Sequence, residues 1–141
     1  MQSLPFAQAA LGDGQSHGEA ALMDPRIRIF LRIIDENRGT LRVTSREISN
    51  LLGIGEARLL RLFNRDVGKT LRQHLLAVRM ARAAQLLQNV APPIKAVASD
   101  CGYTEVSNFY RDFKRVHGMS PMQMRLRHMD IQLQTKELGA L

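Results

Sequence analysis

Cationic and amide side chains occur in two groups that are separated by 50 residues. The matched positions are Arg58 and Asn108, Arg61 and Arg111, and Arg65 and Arg115. Guanidinium groups donate bidentate hydrogen bonds to guanine or bind phosphate, and an asparagine amide matches the edge of adenine. These residue types, at a repeated spacing, favour recognition of double-stranded nucleic acid over acid–base or nucleophilic chemistry.

Each group lies on a predicted amphipathic helix, over residues 56–66 and 105–117. The predicted inward residues are Leu59, Leu62 and Phe63 in the first helix and Phe109, Phe113 and Val116 in the second. An apolar back can fix a helix to its scaffold, while a front that carries donors can enter the major groove. One such helix could equally be a solvated surface helix, but two copies in register favour contact with DNA.

Glycines mark a similar turn in front of both helices. Gly53 and Gly102, in the turns, lie 49 residues apart, whereas Gly68 and Gly118, which close the helices, lie 50 residues apart. A short helix is predicted before each turn, over 45–52 and 94–101. The sequence therefore predicts two helix-turn-helix units, of which the second has a turn longer by one residue.

The helices that complete these units also have recognisable starts. Asp24-Pro25 fits an N-cap followed by proline at the first helical position, and Thr44 with Glu47 fits a capping box. The short helix after that box is predicted to turn Ile48, Leu51 and Leu52 inward. Ser120-Pro121 opens a final helix.

The predicted fold is all-α, with about seven helices that form two helix-turn-helix subdomains joined by a long linking helix. No segment has the period-2 alternation of a strand. Residues 70–89 contain no glycine or proline, so the linking helix should be about 30 Å long at ~1.5 Å per residue. The predicted organisation is a flexible arm or linker over 1–23, a first unit over 24–69, the linking helix over 70–89, a second unit over 92–130 and a tail over 131–141.

Composition narrows the class of partner. The 141 residues carry a net charge of +7, and 45% of them are hydrophobic, enough for one compact core. A basic surface would also suit an anionic membrane, but the apolar helix backs are needed for the core. The sequence has no recognisable signal peptide and no run of about 18 apolar residues, so we expect a cytoplasmic protein that does not enter membranes.

Cysteine and histidine usage gives no sign of catalysis or metal binding. Cys101 is the only cysteine, and it is predicted to be a small buried apolar residue. The four histidines, His17, His74, His117 and His128, lack metal-ligand spacing. We expect no enzymatic activity, no cofactor and no metal. A DNA-repair fusion would need a reactive cysteine in an added domain, for which residues 1–23 are too short.

Two stretches of this sequence resemble the DNA-binding domain of the AraC/XylS family of transcriptional regulators. They are SREISNLLGIGEARLLRLFNRDVGKTLRQHLLAVRMARAAQLL and IKAVASDCGYTEVSNFYRDFKRVHGMSP, and the resemblance spans about residues 24–129. The second stretch is the more specific. Its matching positions are Ala98, Cys101-Gly102-Tyr103, Phe109, Arg111, Phe113-Lys114, Gly118 and Ser120-Pro121.

The resemblance implies two units that read successive major-groove segments of one promoter site. The implied base-reading residues are Ala57, Arg58, Leu60 and Arg61 in the first unit and Val106, Ser107, Asn108 and Arg111 in the second. The expected phosphate contacts are Arg65, Arg79, Arg82, Lys114 and Arg115, with ion pairing inside the protein as the alternative for Arg79 and Arg82. Leu60 is apolar where the family often has a polar reader, and Gly55 replaces the usual capping Ser or Thr, so the first unit should read fewer bases directly.

The resemblance also implies a transcriptional activator that contacts RNA polymerase, and a monomer suffices for a two-part site. The chain is either a stand-alone regulator or the DNA-binding part of a longer one. The alternative function is that of a small regulatory interaction protein, which would bind another regulator instead of DNA.

Overall fold

A computed structural model describes residues 22–41 and 44–139 of the chain. Within these ranges the secondary structure consists of seven α-helices without strands, which confirms the predicted all-α fold. The helices are α1 Pro25–Glu36, α2 Ser45–Leu52, α3 Glu56–Val67, α4 Leu71–Leu86, α5 Ile94–Asp100, α6 Val106–His117 and α7 Pro121–Gly139. The arm predicted over 1–23 lies outside the described residues except for Leu22 and Met23.

The chain divides into two compact units, Met1–Val78 and Arg79–Leu141, which we call the N-terminal and C-terminal units. The division falls inside α4. This helix is shorter than the predicted range 70–89 because Thr70 caps it from outside and Leu86 is its last residue. After it, the amides of Gln88 and Asn89 donate to carbonyls three residues back, which tightens the chain into turns. The helix is therefore about 24 Å long at ~1.5 Å per residue.

The core of the N-terminal unit is built from apolar residues of α1, α2, the turn after α2, α3 and the first half of α4. Its buried members are Ile27, Phe30, Ile34, Ile48, Ile54, Leu59, Phe63 and Val78. Phe30 and Phe63 meet edge to face, with ring centroids 5.6 Å apart, so α3 is fixed against α1 by its apolar back.

The core of the C-terminal unit follows the same plan. Its buried apolar residues are Met80, Ala83, Leu87, Ile94, Val97, Ala98, Cys101, Phe109 and Phe113. Phe109 and Phe113 lie one turn apart on α6 with ring centroids 5.7 Å apart. They occupy the position in this unit that Leu59 and Phe63 occupy in the first. Each of α3 and α6, which we call the reading helices, is therefore held by an i, i+4 pair.

Two residues predicted to face inward are exposed. Val116 is 45% exposed and Leu51 is 73% exposed. On each of these two helices, successive buried residues are four positions apart and not three. His117, four residues after Phe113, packs its ring against that phenylalanine with centroids 4.4 Å apart and so takes the place predicted for Val116. In α2 these positions are Ile48 and Leu52, which leaves Leu51 beside them.

The final helix extends further than predicted. Ser120 and Gln123 form a reciprocal cap at the start of this helix. The backbone N–H of Gln123 donates to Ser120 Oγ at 3.1 Å, and the backbone N–H of Ser120 donates to Gln123 Oε1 at 2.9 Å. The helix continues to Gly139 and so includes residues 131–139 of the predicted tail, all of which are exposed. The segment 131–138 contains no glycine or proline, and its Leu, Gln, Lys and Glu residues favour helix.

Candidate nucleic-acid interface

A tight turn positions α3 in the N-terminal unit. The capping box at the start of α2 is present, with Thr44 Oγ1 accepting from the Glu47 amide and Glu47 Oε2 accepting from the Thr44 amide. Gly53 ends α2 at φ 68°, a left-handed conformation that glycine adopts without strain. The Ile54 amide then donates to the Ser49 carbonyl at 3.0 Å.

The turn before α6 in the C-terminal unit is closed by the equivalent bond. Gly102 has φ 88°, and the Tyr103 amide donates to the Ala98 carbonyl at 3.0 Å. The helix after it begins at Val106, 50 residues after Glu56, although the turn glycines are 49 residues apart. The longer second turn is therefore present. Neither reading helix has a side-chain bond at its N-cap, which is Gly55 in α3 and Glu105 in α6.

The structure exposes every residue that was predicted to read bases. Those on α3 are Ala57, Arg58, Leu60 and Arg61, and those on α6 are Val106, Ser107, Asn108 and Arg111. The two large apolar members, Leu60 and Val106, are 37% and 38% exposed. In each helix the polar members lie on the face opposite the buried aromatic residue. Their contacts with bases remain predictions.

The exposed arginines differ in how strongly the protein itself engages them. Within the described ranges, no hydrogen bond or ion pair involves the side chains of Arg58 and Arg61. Arg111 and Arg115 each lie 3.6 Å from a carboxylate oxygen of Asp112, longer than a charge-assisted hydrogen bond. All four guanidinium groups can therefore donate to an incoming duplex.

The five predicted phosphate contacts fall into two groups. Arg65, Lys114 and Arg115 are exposed on the reading helices, and Arg65 also pairs with Asp66 at 2.7 Å. Arg79 is half-buried. The Arg82 side chain is only 16% exposed, and its Nη2 donates to Asp100 at 2.8 Å. The alternative of an internal ion pair thus describes Arg82, and we leave it out of the proposed phosphate contacts.

Two exposed residues on the reading helices were missed at the sequence level. Asn64 lies on the same face as Arg61 and 50 residues before Lys114. Tyr110 is 39% exposed and lies one turn after Val106. The repeat offset could have identified Asn64, because it relates this amide to a predicted phosphate contact. The same offset could have identified Tyr110, because its counterpart is Leu60, a predicted base contact.

Two buried titratable groups lie behind the reading helices, one in each unit. Burial raises the pKa of the Cys101 thiol to about 11, so this cysteine stays protonated. Burial, followed by the charge of Lys69, lowers the pKa of His74 to about 4. Among residues 22–41 and 44–139, no group of three or more His, Cys, Asp or Glu side chains could hold a metal ion. In the same part of the chain, no helix has the length and apolar character needed to cross a membrane.

Two helix-turn-helix units, each with an exposed face of hydrogen-bond donors, define a tandem helix-turn-helix domain. A family model described as a helix-turn-helix domain matches residues 48–127. The chain belongs to the AraC/XylS family of transcriptional regulators, as the resemblance implied.

Relatives of known description agree with this assignment. The probable transcriptional regulator LumQ of Photobacterium leiognathi is 31% identical over 80 residues, which are 57% of this chain and 32% of that protein. The xylose operon regulatory protein of Haemophilus influenzae is 28% identical over 106 residues, 75% of this chain and 27% of its own length. The chain thus spans about a third or less of these curated relatives.

A solved structure has the same fold. The crystal structure of a DNA-binding transcriptional dual regulator from Escherichia coli K-12 is 29% identical to the chain, with a TM-score of 0.64. The match covers 77% of this chain and 96% of that one. The likeness extends over both units of the chain.

Proposed function

We propose that this chain binds specific sites on double-stranded DNA and thereby regulates transcription. The observation that carries this function is the repetition of an exposed donor face on α3 and α6. Arg61 and Arg111 occupy the same position of the repeat, and neither is held by a short ion pair. A solvated surface helix has no need for such a repeat, whereas a two-part DNA site does.

The donor faces divide into proposed base contacts and proposed phosphate contacts. The base contacts are Ala57, Arg58, Leu60 and Arg61 on α3 and Val106, Ser107, Asn108 and Arg111 on α6. The phosphate contacts are Arg65, Lys114 and Arg115, with Arg79 as a weaker candidate. Phosphate contacts fix the register of the protein on the duplex, and base contacts select the sequence.

The two units contribute unequally to base selection in this proposal. Leu60 can offer only apolar contact, for example with a thymine methyl group. Gly55 supplies no side chain at the N-cap of α3. In α6, Ser107, Asn108 and Arg111 all carry hydrogen-bonding groups. We therefore expect stronger base preferences in the half-site that the C-terminal unit contacts.

We infer the wider role from what the family membership suggests. The chain acts in the cytoplasm as a transcriptional activator, contacts RNA polymerase as well as DNA, and has no catalytic activity of its own. Two units on one chain suffice for successive major-groove segments, so binding needs no dimer. The xylose operon regulatory protein, a relative, carries a role in operon regulation in its name.

Selection of bound duplexes from a random pool tests this function. The protein should enrich a two-part sequence, with the stronger base preferences in one part. Arg127→Ala provides a matched control, because Arg127 is an exposed arginine on α7 and not on either reading helix. This variant should enrich the same sequence. A pool that stays random after repeated rounds would contradict sequence-specific binding.

A further inference from the structure

Asp112 is the only acidic residue on α6, and in the sequence it lies between Arg111 and Arg115, two exposed arginines of this helix. Its Oδ1 lies 3.6 Å from Arg111 Nε and 3.6 Å from Arg115 Nη2. The carboxylate is 15% exposed, whereas the two arginine side chains are 68% and 66% exposed. One partly buried negative charge is therefore shared by two exposed positive charges.

The carboxylate is fixed from its other side by the turn. Tyr103 donates its hydroxyl hydrogen to Asp112 Oδ2 at 2.8 Å. The Tyr103 ring in turn packs edge to face on Phe109, with centroids 5.4 Å apart. Burial, and then the bond to Asp112, raises the pKa of Tyr103 to about 12, so the hydroxyl remains a donor at neutral pH. Asp112 is thus anchored to the scaffold of the unit and is not a freely moving surface acid.

Among the described residues of the N-terminal unit, no acid is shared in this way by two arginines of the reading helix. The positions equivalent to Asp112 and Tyr103 are Leu62 and Ile54, both apolar. Its Arg65 pairs with the neighbouring Asp66, and Arg61 is not engaged by any described residue. In the second reading helix one acid is thus shared by two arginines, whereas Asp66 of the first pairs with Arg65 and accepts from the Asp24 amide at 3.0 Å.

An anchored acid among reading arginines affects specific and non-specific DNA binding differently. Exposed ion pairs at this distance are weak, so they restrict the arginines without consuming their donors. A negative charge beside the phosphate backbone opposes any binding that relies on charge alone. At a matching site, bidentate hydrogen bonds from an arginine to the O6 and N7 atoms of guanine offset this unfavourable electrostatic contribution.

We propose that Asp112 is a specificity-determining residue, which restrains Arg111 and Arg115 so that they engage DNA fully only at a matching sequence. This inference rests on the proposed function and adds a restraint on unselective binding. Asp112 acts through the two arginines and is a positioning residue, not a base contact.

The test compares the affinity for the selected duplex with the affinity for a random duplex of equal length. Asp112→Asn keeps an oxygen that can accept from Tyr103 but removes the charge. It should tighten binding to the random duplex and lower the ratio of the two affinities by about threefold to fivefold. Asp112→Glu should retain a high ratio. Asp130→Asn, which removes the same charge from an exposed position on α7, should leave the ratio unchanged.

Three results would overturn the inference. An unchanged ratio in Asp112→Asn would do so, as would an equal weakening on both duplexes, which indicates a structural role. An equal fall of the ratio in Asp130→Asn would show that the effect comes from net charge and not from the position of Asp112. If Asp112→Asn melts well below the parent protein, Tyr103→Phe replaces it in the test. This variant removes the hydrogen bond that anchors the Asp112 carboxylate but keeps the charge. The ratio of the two affinities must also fall in Tyr103→Phe. Failure of the parent protein to prefer the selected duplex would contradict the proposed function itself and is seen before any variant is made.

Discussion

Arg111 has the most specific proposed role, a direct contact with one base. It is exposed on α6, and its nearest carboxylate is 3.6 Å away, so its donors are free to pair with a base. Arg111→Ala should weaken binding to the preferred site by about 1–3 kcal/mol and relax selectivity at one base position. Fluorescence anisotropy titrations on the selected duplex and on single-base variants measure both effects, with Arg127→Ala as the charge control. Equal losses on specific and random duplexes would make Arg111 a phosphate contact.

His74 is one source of acid sensitivity in the N-terminal unit. His74 lies on α4, where its ring is fully buried and packs edge to face on Phe63, with ring centroids 5.5 Å apart. Because its pKa is lowered from 6.5 to about 4, the unfolded chain binds more protons between these values. The stability that the neutral ring contributes is therefore complete above about pH 6.5 and is lost as the pH falls toward 4.

Replacing His74 by phenylalanine should remove this part of the acid sensitivity. Urea unfolding of the parent between pH 7 and pH 4 should show a decline that the variant lacks, worth at most about 3 kcal/mol for this shift. A decline of the same size in the variant would show that His74 is not its source.

At the scale of elements, the turn between α2 and α3 depends on two glycines with different backbone requirements. Gly53 has φ 68°, whereas Gly55 is extended with φ −66°, and nothing would contact a Cβ atom at either position. Gly53→Ala should therefore destabilise the protein by about 1–2 kcal/mol through strain alone. Gly55→Ser should stabilise it by a few tenths of a kcal/mol or more, because serine supplies the missing N-cap.

Thermal melting of both variants beside the parent checks this pair of predictions. The expected shifts in melting temperature have opposite signs. A stable Gly53→Ala variant would mean that the turn has another conformation, and the equivalence with Gly102 would then be lost.

The elements also show how far sequence reasoning reaches. The repeat and the 3.6-residue period predicted both reading helices and the exposure of their polar faces, because those features are local. The exposure of Leu51 and Val116 depends on which neighbour fills each site, and His117 was a poor candidate by residue type. The ion pair of Arg82 with Asp100 joins residues 18 apart on different helices, so only the fold reveals it.

At the scale of the whole molecule, the net charge of +7 makes salt a direct probe of the interface. Each neutralised phosphate adds about 0.9 to the slope of log K against log salt. Binding should weaken steeply between low and moderate salt, and Arg115→Ala should reduce the slope by about 1. Arg127→Ala should leave the slope unchanged. A slope near zero in the parent would be incompatible with phosphate contacts from either reading helix.

The most direct test of the account is a competition measurement with the selected duplex and three scrambled versions. Either the half-site of the N-terminal unit, the half-site of the C-terminal unit or both are scrambled at constant composition. The account predicts that each single scramble weakens binding, that the C-terminal half-site costs more, and that the full scramble binds about a thousandfold or more weakly. Equal affinity for all four duplexes would contradict sequence-specific recognition by two units.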